Sequence, residues 1–387
     1  MSIYVKDLFQ LDIFKKFKIV AGQKGLNRRL EAAQVLDFEF VDDYKDKRAI
    51  MFDKNSFVLS SLLFAKGDET ILMEAMKNLV DFGISAFAYK NVIYKQLPKE
   101  IIDFADNNNL PILEFQDEDA YFEDIIFSIM NLLKADSNIS LIEEKIKEII
   151  NQELSKEEIE SRIDAMNPNL QNKIQTFYVE IGDEKKVMNL LLSFNPPEKL
   201  ESRCIFSKYK KDILFIFSTD KEDRNLQHKL EDTLFYLGLK KDDFKIAMSE
   251  VHEDRSKIKM ALEEAVQAAI VGKIENKKVI KYEEIGIYQI LLPEIKSTYL
   301  QKYMKRYLNS ILNINEGESD LIKTAVQYVL AGGDLNAASN RLFCHKNTVR
   351  YRVNKIHELI DPQSNKMEFF EHLDVAIKIY LLNEYMN

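Results

Sequence analysis

The chain has 387 residues, 46% apolar and 30% charged, with 11 Gly and 7 Pro. That balance fits a globular chain of roughly two to four domains and excludes collagen-like, Pro-rich and disordered sequences. Two distant cysteines, Cys204 and Cys344, exclude a disulfide framework or a CxxC zinc pair and fit a reducing cytoplasm, while 54 basic against 63 acidic residues give a net charge of −9, which as a mean speaks against nucleic acid.

No continuous apolar run approaches a membrane span. The longest is about Phe57–Ala65, broken by two serines. The N-terminal stretch has an early Asp and no apolar core of a signal peptide, so no membrane partner is expected.

Up to about residue 120, short apolar runs alternate with helical patterns. Phe57-Val58-Leu59, Ala86–Tyr89 and Ile112–Phe115 read as buried strands. Between the first two, Ile71, Leu72, Ala75, Met76, Leu79 and Val80 line one face of a helix over 70–82, which Gly83 can end. This spacing predicts a βαβ unit with parallel strands. Pro98 starts a second helix at 99–106, and Asn107-Asn108-Asn109 ends it. Residues 1–135 are therefore expected to form an α/β domain. Within it, Gly22-Gln23-Lys24-Gly25 suits a tight turn or a ligand cradle, and Asp42-Asp43-Tyr44-Lys45-Asp46 a solvated acidic loop.

The pattern then turns helical as far as Met166. Ile125, Ile129, Leu132 and Leu133 form one stripe, and Ile139, Ile142, Ile146, Ile149 and Ile150 another. Such a stripe is either a dimer seam or the face of a helix packed on its own domain. Residues 136–170 read as a helical linker. Residues 171–290 return to α/β, with strands at Gln175–Ile181, Asp212–Ser218 and Phe244–Met248 and helices at 184–193, 222–237 and 254–272. The order strand, helix, strand, strand, helix, strand, helix suggests a mixed sheet with helices packed on it. Pro196-Pro197 marks a loop.

Residues 291–387 read as all-helical. Helices are predicted at 298–312, at 319–331 ended by Gly332-Gly333, at 335–342 capped by Asp334, onward to Ile360 where Asp361-Pro362 stops the chain, and at 368–384. The 24 Phe and 17 Tyr stand without any Trp, and most must be core.

The sharpest signal is the run GGDLNAASNRLFCHKNTVRYRVNKIHEL from Gly332 to Leu359. A short helix with the small pair Ala337-Ala338, a turn at Phe343–Lys346 and a longer helix give the geometry of a helix-turn-helix. Rotation at about 100° per residue puts Val349, Val353, Ile356 and Ile360 on the core side. Asn347, Tyr351 and Asn354 lie opposite, flanked by Lys346, Thr348, Arg350 and Lys355. Amide and guanidinium groups there suit base edges, and lysines suit phosphates. Arg352 lies nearer the buried side, within reach of a phosphate. His345–Thr348 sit at the helix N-terminus, where free N–H groups favour an anion. A charged solvated face is the ordinary alternative. However, residues 341–355 carry five cations and no acid, leaving 49 basic and 63 acidic residues, a charge of −14, on the other 372.

At these residues the chain resembles the PucR/CdaR-type bacterial transcriptional regulators. The resemblance rests on Val326-Gln327-Tyr328, Gly332-Gly333, Leu335–Ala338, Leu342-Phe343, His345, the run Asn347–Arg352, and Lys355-Ile356. The helix pair is also similar to the Fis-type DNA-binding fold. Val5–Phe9, Val20-Ala21-Gly22, Gly25-Leu26, Arg28 and Leu30 look like the start of the family's N-terminal purine-catabolism-regulator domain, and Asn109–Leu113 like one of its strands. The strand Lys245–Met248 followed by Ala261–Ala265 resembles a degenerate GGDEF-like domain, and Ile142–Ile150 with Glu157–Met166 its helical lead-in. Two positions depart from the family pattern: Ala247-Met248-Ser249 stands where glycine is common, and Cys344 where Val is common.

Other chemistry finds little support. A diguanylate cyclase needs a GG[DE]EF loop, and residues 171–290 contain no Gly-Gly. The five histidines, His228, His252, His345, His357 and His372, form no HxH, HxxxH or HExxH, so no metal site is expected. No GxSxG, GxGxxG or Walker A sequence occurs, and neither a catalytic residue nor a cofactor is expected.

The resemblance implies an α/β (α+β) multidomain chain with an N-terminal sensor-like domain, a degenerate GGDEF-like domain and an all-α Fis-like helix-turn-helix domain. It implies a cytoplasmic, non-enzymatic transcriptional regulator that responds to a small-molecule effector and binds a double-stranded palindromic operator as a homodimer. The DNA-contact set is His345, Lys346, Asn347, Thr348, Arg350, Tyr351, Arg352 and Lys355. Gly22, Gly25 and Arg28 are the residues expected at a ligand. The rival expectation is a nucleotide-binding sensor or GGDEF-type enzyme with an incidental basic helix.

Overall fold

A computed structural model of the chain describes residues 3–37, 52–116, 118–193, 203–219, 226–312 and 320–386. The acidic cluster 42–46, Pro196-Pro197 and the start of the helix expected from 222 lie outside the described residues. The chain forms two compact units, Met1–Glu144 and Lys145–Asn387. The residues read from sequence as separate middle and C-terminal domains fall together in the second unit.

In the first unit, β1 (Ile3–Tyr4) pairs with β3 (Arg29–Leu30) in a short ribbon beside the main sheet. The main sheet runs β2 (Lys18–Ala21), β7 (Ile112–Phe115), β6 (Ala86–Lys90), β5 (Ser56–Ser60) and β4 (Ala32–Leu36). Strands β4 to β7 are parallel neighbours, and β2 is antiparallel on β7. Helix α1 (Glu69–Asp81) starts at Asp68, whose side chain accepts from the N–H groups of Thr70 and Ile71. Helix α2 (Lys99–Asn107) follows Pro98. Leu72, Met76, Leu79 and Ile101 of these helices join Val58 and Phe87 of the sheet in one buried cluster. Because successive side chains of a strand face opposite ways, Phe57 and Phe115 serve a second layer. Phe14 lies edge-on to Phe57 at 5.6 Å, and Phe17 stacks on Phe115 at 4.7 Å.

Helix α3 (Phe122–Asn151) carries the chain from the first unit into the second. Ile125, Ile129, Leu132 and Ile139 are buried, as are Ile146 and Ile149 further on. Leu133, Ile142 and Ile150 of the same stripes are half-buried, and Phe127, Met130 and Leu141 of α3 are exposed. By length and composition α3 could also cross a membrane, a feature that a search for unbroken apolar runs overlooks. Lys134 and the buried Asp136 interrupt its apolar stretch.

In the second unit, α4 (Lys156–Met166) opens with a capping box between Ser155 and Glu158. Then come β8 (Lys173–Glu180), α5 (Glu184–Ser193), β9 (Cys204–Tyr209), β10 (Asp212–Thr219), α6 (Leu226–Tyr236), β11 (Lys245–Met248), α7 (Ile258–Glu275) and β12 (Val279–Lys281). The sheet order is β12-β11-β8-β10-β9, antiparallel except for β11 with β12. All eight residues of β10 are buried, including Asp212. Its carboxylate accepts from Tyr178 Oη at 2.7 Å and from the N–H groups of Ile181 and Gly182 at 2.8 Å each, which is how a charge is tolerated there. After a single short helical turn at Tyr288–Leu291 come α8 (Thr298–Leu312), α9 (Asp320–Leu330), α10 (Leu335–Leu342), α11 (Lys346–Ile360) and α12 (Lys366–Met386). Helix α12 packs on α8 and α9 and also touches α7 of the sheet domain. At that junction Lys378 lies 5.4 Å from the Tyr288 ring and Lys273 lies 5.7 Å from that of Tyr385.

Candidate nucleic-acid interface

Helices α9, α10 and α11 pack on one another. Gly332 and Gly333 have φ of 61° and 83°, and Gly333 N–H donates to Tyr328 O at 2.9 Å, closing α9. A Cβ on Gly333 would stand 3.1 Å from the Phe370 ring of α12. Asp334 then caps α10, accepting from Asn336 N at 2.6 Å and Ala337 N at 3.0 Å, and these donors hold its carboxyl below the usual aspartate range. Ala338 and Ser339 are the buried small residues of α10, while Ala337 is half-buried. The close crossing therefore lies one residue later than the Ala337-Ala338 pair suggests, and the Ser339 hydroxyl is satisfied by Asn336 O.

The turn begins at Phe343, which is left-handed at φ 52° and ψ 40°. His345 is the N-cap of α11, and its Nδ1 accepts from Asn347 N at 3.2 Å. With Nδ1 accepting, the ring proton sits on Nε2, which becomes a donor available outside the cap. Along α11, Val349, Val353 and Ile356 are buried and Ile360 is half-buried. His345, Asn347, Arg350, Tyr351 and Asn354 are exposed, and Lys346, Thr348, Arg352 and Lys355 are partly so. Arg350 Nη1 donates to Asn347 Oδ1 at 3.3 Å, which holds the two polar heads side by side.

The cations of this stretch differ in their engagement. Arg352 is paired with Asp320 of α9, so reaching a phosphate means leaving that carboxylate. Arg341 donates to Leu330 O at 3.0 Å. Rotation placed Arg352 near the buried side, but its partner, thirty-two residues earlier, carries no local signal.

The three residues expected at a ligand lie in the first unit and meet the protein itself. Gly22 has φ 68°, and a Cβ there would stand 2.5 Å from Pro111 N and closer still to the carbonyl of Leu110. One on Gly25 would stand 2.7 Å from Pro111 Cδ and 2.9 Å from Asn109 C. Gly22 N–H donates to Asp106 Oδ1 at 2.6 Å. Arg28 Nη1 donates to Ile84 O at 2.8 Å and Nη2 to Asn108 O at 3.4 Å, and burial lowers its pKa from the ordinary arginine value. Close backbone approach accounts for both glycines without a ligand. Among the described residues no group of three or more His, Cys, Asp or Glu could hold a metal ion.

Comparison with known proteins bears on both ends of the chain. Residues 7–133 match the purine catabolism regulatory protein-like (PucR) family, and residues 321–379 match the PucR C-terminal helix-turn-helix domain. The chain carries a PucR-family N-terminal domain and a PucR-type helix-turn-helix domain. Helices α9 to α11 and most of α12 are that second domain. The chain is 25% identical over 148 residues to the DNA-binding transcriptional activator AdeR of Bacillus subtilis (strain 168), covering 35% of this chain and 34% of that protein. It is 33% identical over 100 residues to the proline-responsive transcriptional activator PutR of the same organism, covering 26% and 24%. The chain thus spans about a third or less of the length of these curated relatives. A regulator of polyketide synthase expression from Bifidobacterium adolescentis, known from its crystal structure, aligns at 16% identity over 62% of this chain and 97% of its own, with a TM-score of 0.28, at which the likeness carries no argument.

Proposed function

We propose that the chain is a cytoplasmic DNA-binding transcriptional regulator that responds to a small metabolite and holds a palindromic operator as a homodimer. The observation that carries the reading is the exposed face of α11. There His345, Asn347, Arg350, Tyr351 and Asn354 stand outward over buried Val349, Val353 and Ile356, in a window free of acid. Asn347 and Arg350 have the donor and acceptor geometry that reads base edges in the major groove. Lys346 and the Nε2 of His345 suit phosphates at the helix entry, with Thr348, Tyr351 and Lys355 completing the contact and Arg352 joining it when released from Asp320. One such module buries about 600–1,000 Å², so two copies on half-sites about one turn apart supply a specific interface. AdeR and PutR are both named as transcriptional activators, which supports the same class of activity.

The second unit contains a cleft of about 530 Å³ lined by Lys173, Gln175, Ser249, Glu250, Lys281 and Glu283. Cationic and anionic side chains in one lining suit a small zwitterion, and PutR is named as proline-responsive. An amino-acid-like effector is therefore the first class to test. We read the sheet around this cleft as a degenerate GGDEF-like domain without cyclase activity, a reading supported by residues 171–290 lacking the Gly-Gly that would admit a triphosphate. The deciding experiment is enrichment of duplexes from a random pool by the purified chain, followed by footprinting. Palindromes protected at two half-sites support the proposal, and no enrichment overturns it. Repeating the enrichment with the common amino acids tests the effector class.

A further inference from the structure

We propose that Phe343 is itself a DNA contact, packing its ring on apolar groups of the duplex, foremost a thymine 5-methyl in the major groove. This rests on the DNA-binding reading above and extends it to a residue that charge and hydrogen-bonding patterns do not select.

Phe343 is 96% exposed, more than any other large apolar side chain among the described residues. Its backbone is also left-handed, at φ 52° and ψ 40°, a region that glycine adopts freely and a bulky aromatic adopts only with strain. The conformation is imposed by the end of α10, where Phe343 N–H donates to Asn340 O at 3.4 Å and Cys344 N–H to Ser339 O at 3.2 Å. Neither burial nor backbone preference therefore explains a phenylalanine here. Among the described residues the ring is left almost wholly uncovered, and glycine would make the same turn more easily.

The surroundings indicate what the ring meets. A protein partner needs a contiguous apolar patch. Across 341–351 the other exposed large apolar side chain is Tyr351, whose hydroxyl is polar; Leu342 and Cys344 are half-buried and Val349 is buried, so no contiguous apolar patch forms in this stretch of chain. The exposed neighbours are Arg341, His345, Asn347 and Arg350. An apolar ring among cations and amides fits a polyanion that presents isolated apolar groups. The ring also stands two residues ahead of the His345 N-cap, at the end of the helix that enters the groove first. Phenylalanine is one of the side chains that meet the thymine methyl there.

The test uses the full-length chain and a duplex it enriches from a random pool. Phe343→Gly removes the ring and relieves the backbone together. Binding is expected to weaken by about 5- to 20-fold, with the slope of log affinity against log salt unchanged, because no charge is lost. The melting temperature should hold or rise. Phe343→Tyr keeps the ring and should bind within about twofold of the parent. Replacing thymines singly by deoxyuridine should reveal one position that weakens the parent but not Phe343→Gly. If affinity is lost without such a position, the ring lies on deoxyribose, which equally supports the contact. Parental affinity in Phe343→Gly overturns the proposal. A lost affinity accompanied by a lower melting temperature or a shallower salt slope also overturns it, since the ring would then support the fold or its basic neighbours. A parent chain that enriches no duplex refutes the DNA-binding reading itself, so the two failures are distinguishable.

Discussion

Gly22→Ala separates a ligand cradle from a packing joint. The added Cβ would stand 2.5 Å from Pro111 N and closer to Leu110 O. Carbon needs about 3.5 Å from such neighbours, so the two backbones must part by about 1 Å to clear Pro111 N and by more to clear the Leu110 carbonyl. Every atom the Cβ meets is main chain, and no side-chain rotation can relieve it. Separation strains the 2.6 Å bond from Gly22 N–H to Asp106, a charge-assisted bond worth about 1.5–3 kcal/mol. Alanine at φ 68° adds about 1–2 kcal/mol. Together these make about 3 kcal/mol of local destabilisation, or roughly 100-fold faster amide exchange where opening limits it. The assay is hydrogen exchange by mass spectrometry on peptides covering β2 and β7, with the helix-turn-helix peptides as an internal control. Exchange in β2 and β7 within about threefold of the parent would refute the packing argument. A ligand cradle would instead leave exchange unaltered in the free protein and abolish the effector response.

Other expectations follow from the same geometry. Arg350→Ala should weaken binding to the enriched duplex by about 1–3 kcal/mol and relax preference at one base pair, whereas Lys346→Ala should lower the salt slope by about one and leave sequence preference intact; titrations at several salt concentrations separate the two. Asp212→Ala leaves the Tyr178 hydroxyl and two backbone N–H groups without their buried acceptor, so it should cost about 3 kcal/mol or more in urea unfolding of the second unit, and a loss below about 1 kcal/mol would contradict the network. The Asp334 carboxyl is held below the usual aspartate range, so its stabilisation is complete above the ordinary aspartate pKa and is lost as pH falls through the lowered value. Asp334→Asn, which also caps, should flatten that part of the melting profile, and a constant difference between the two proteins at every pH would count against the cap.

Much of the fold was legible because several signals coincided. Gly83, Pro98 and the asparagines at 107–109 punctuate strong apolar periods, and the structure has β5, α1, β6, α2 and β7 there. The helix-turn-helix was legible for the same reason: Gly-Gly, Asp334 and the period of α11 agree. The strands without sequence bounds are short or at sheet edges. In β12 only Ile280 is buried, and β2 is mostly half-exposed. Such strands are defined by the neighbour they pair with, which local sequence does not contain. β9 includes Lys208, buried because it pairs with Glu184, so its apolar pattern is broken by a charge. Composition also misleads at Phe343. Aromatics are core on average, whereas this one sits exposed on a left-handed turn that its residue type does not announce.

The charge distribution limits how such a chain can recognise DNA. Of the five cations between 341 and 355, Arg341 is bonded to a carbonyl and Arg352 to Asp320. The remaining 372 residues carry −14. Non-specific affinity comes almost wholly from phosphate neutralisation, so a helix with few unengaged cations on an acidic chain holds random sequence weakly. Weak random binding raises the ratio that matters in a genome, where non-specific sites compete in great excess. The affinity at the right site must then come from contacts that do not depend on charge. In the proposed complex, hydrogen bonds from Asn347 to base edges, a ring at position 343 and a second copy on the adjoining half-site would supply contacts of that kind.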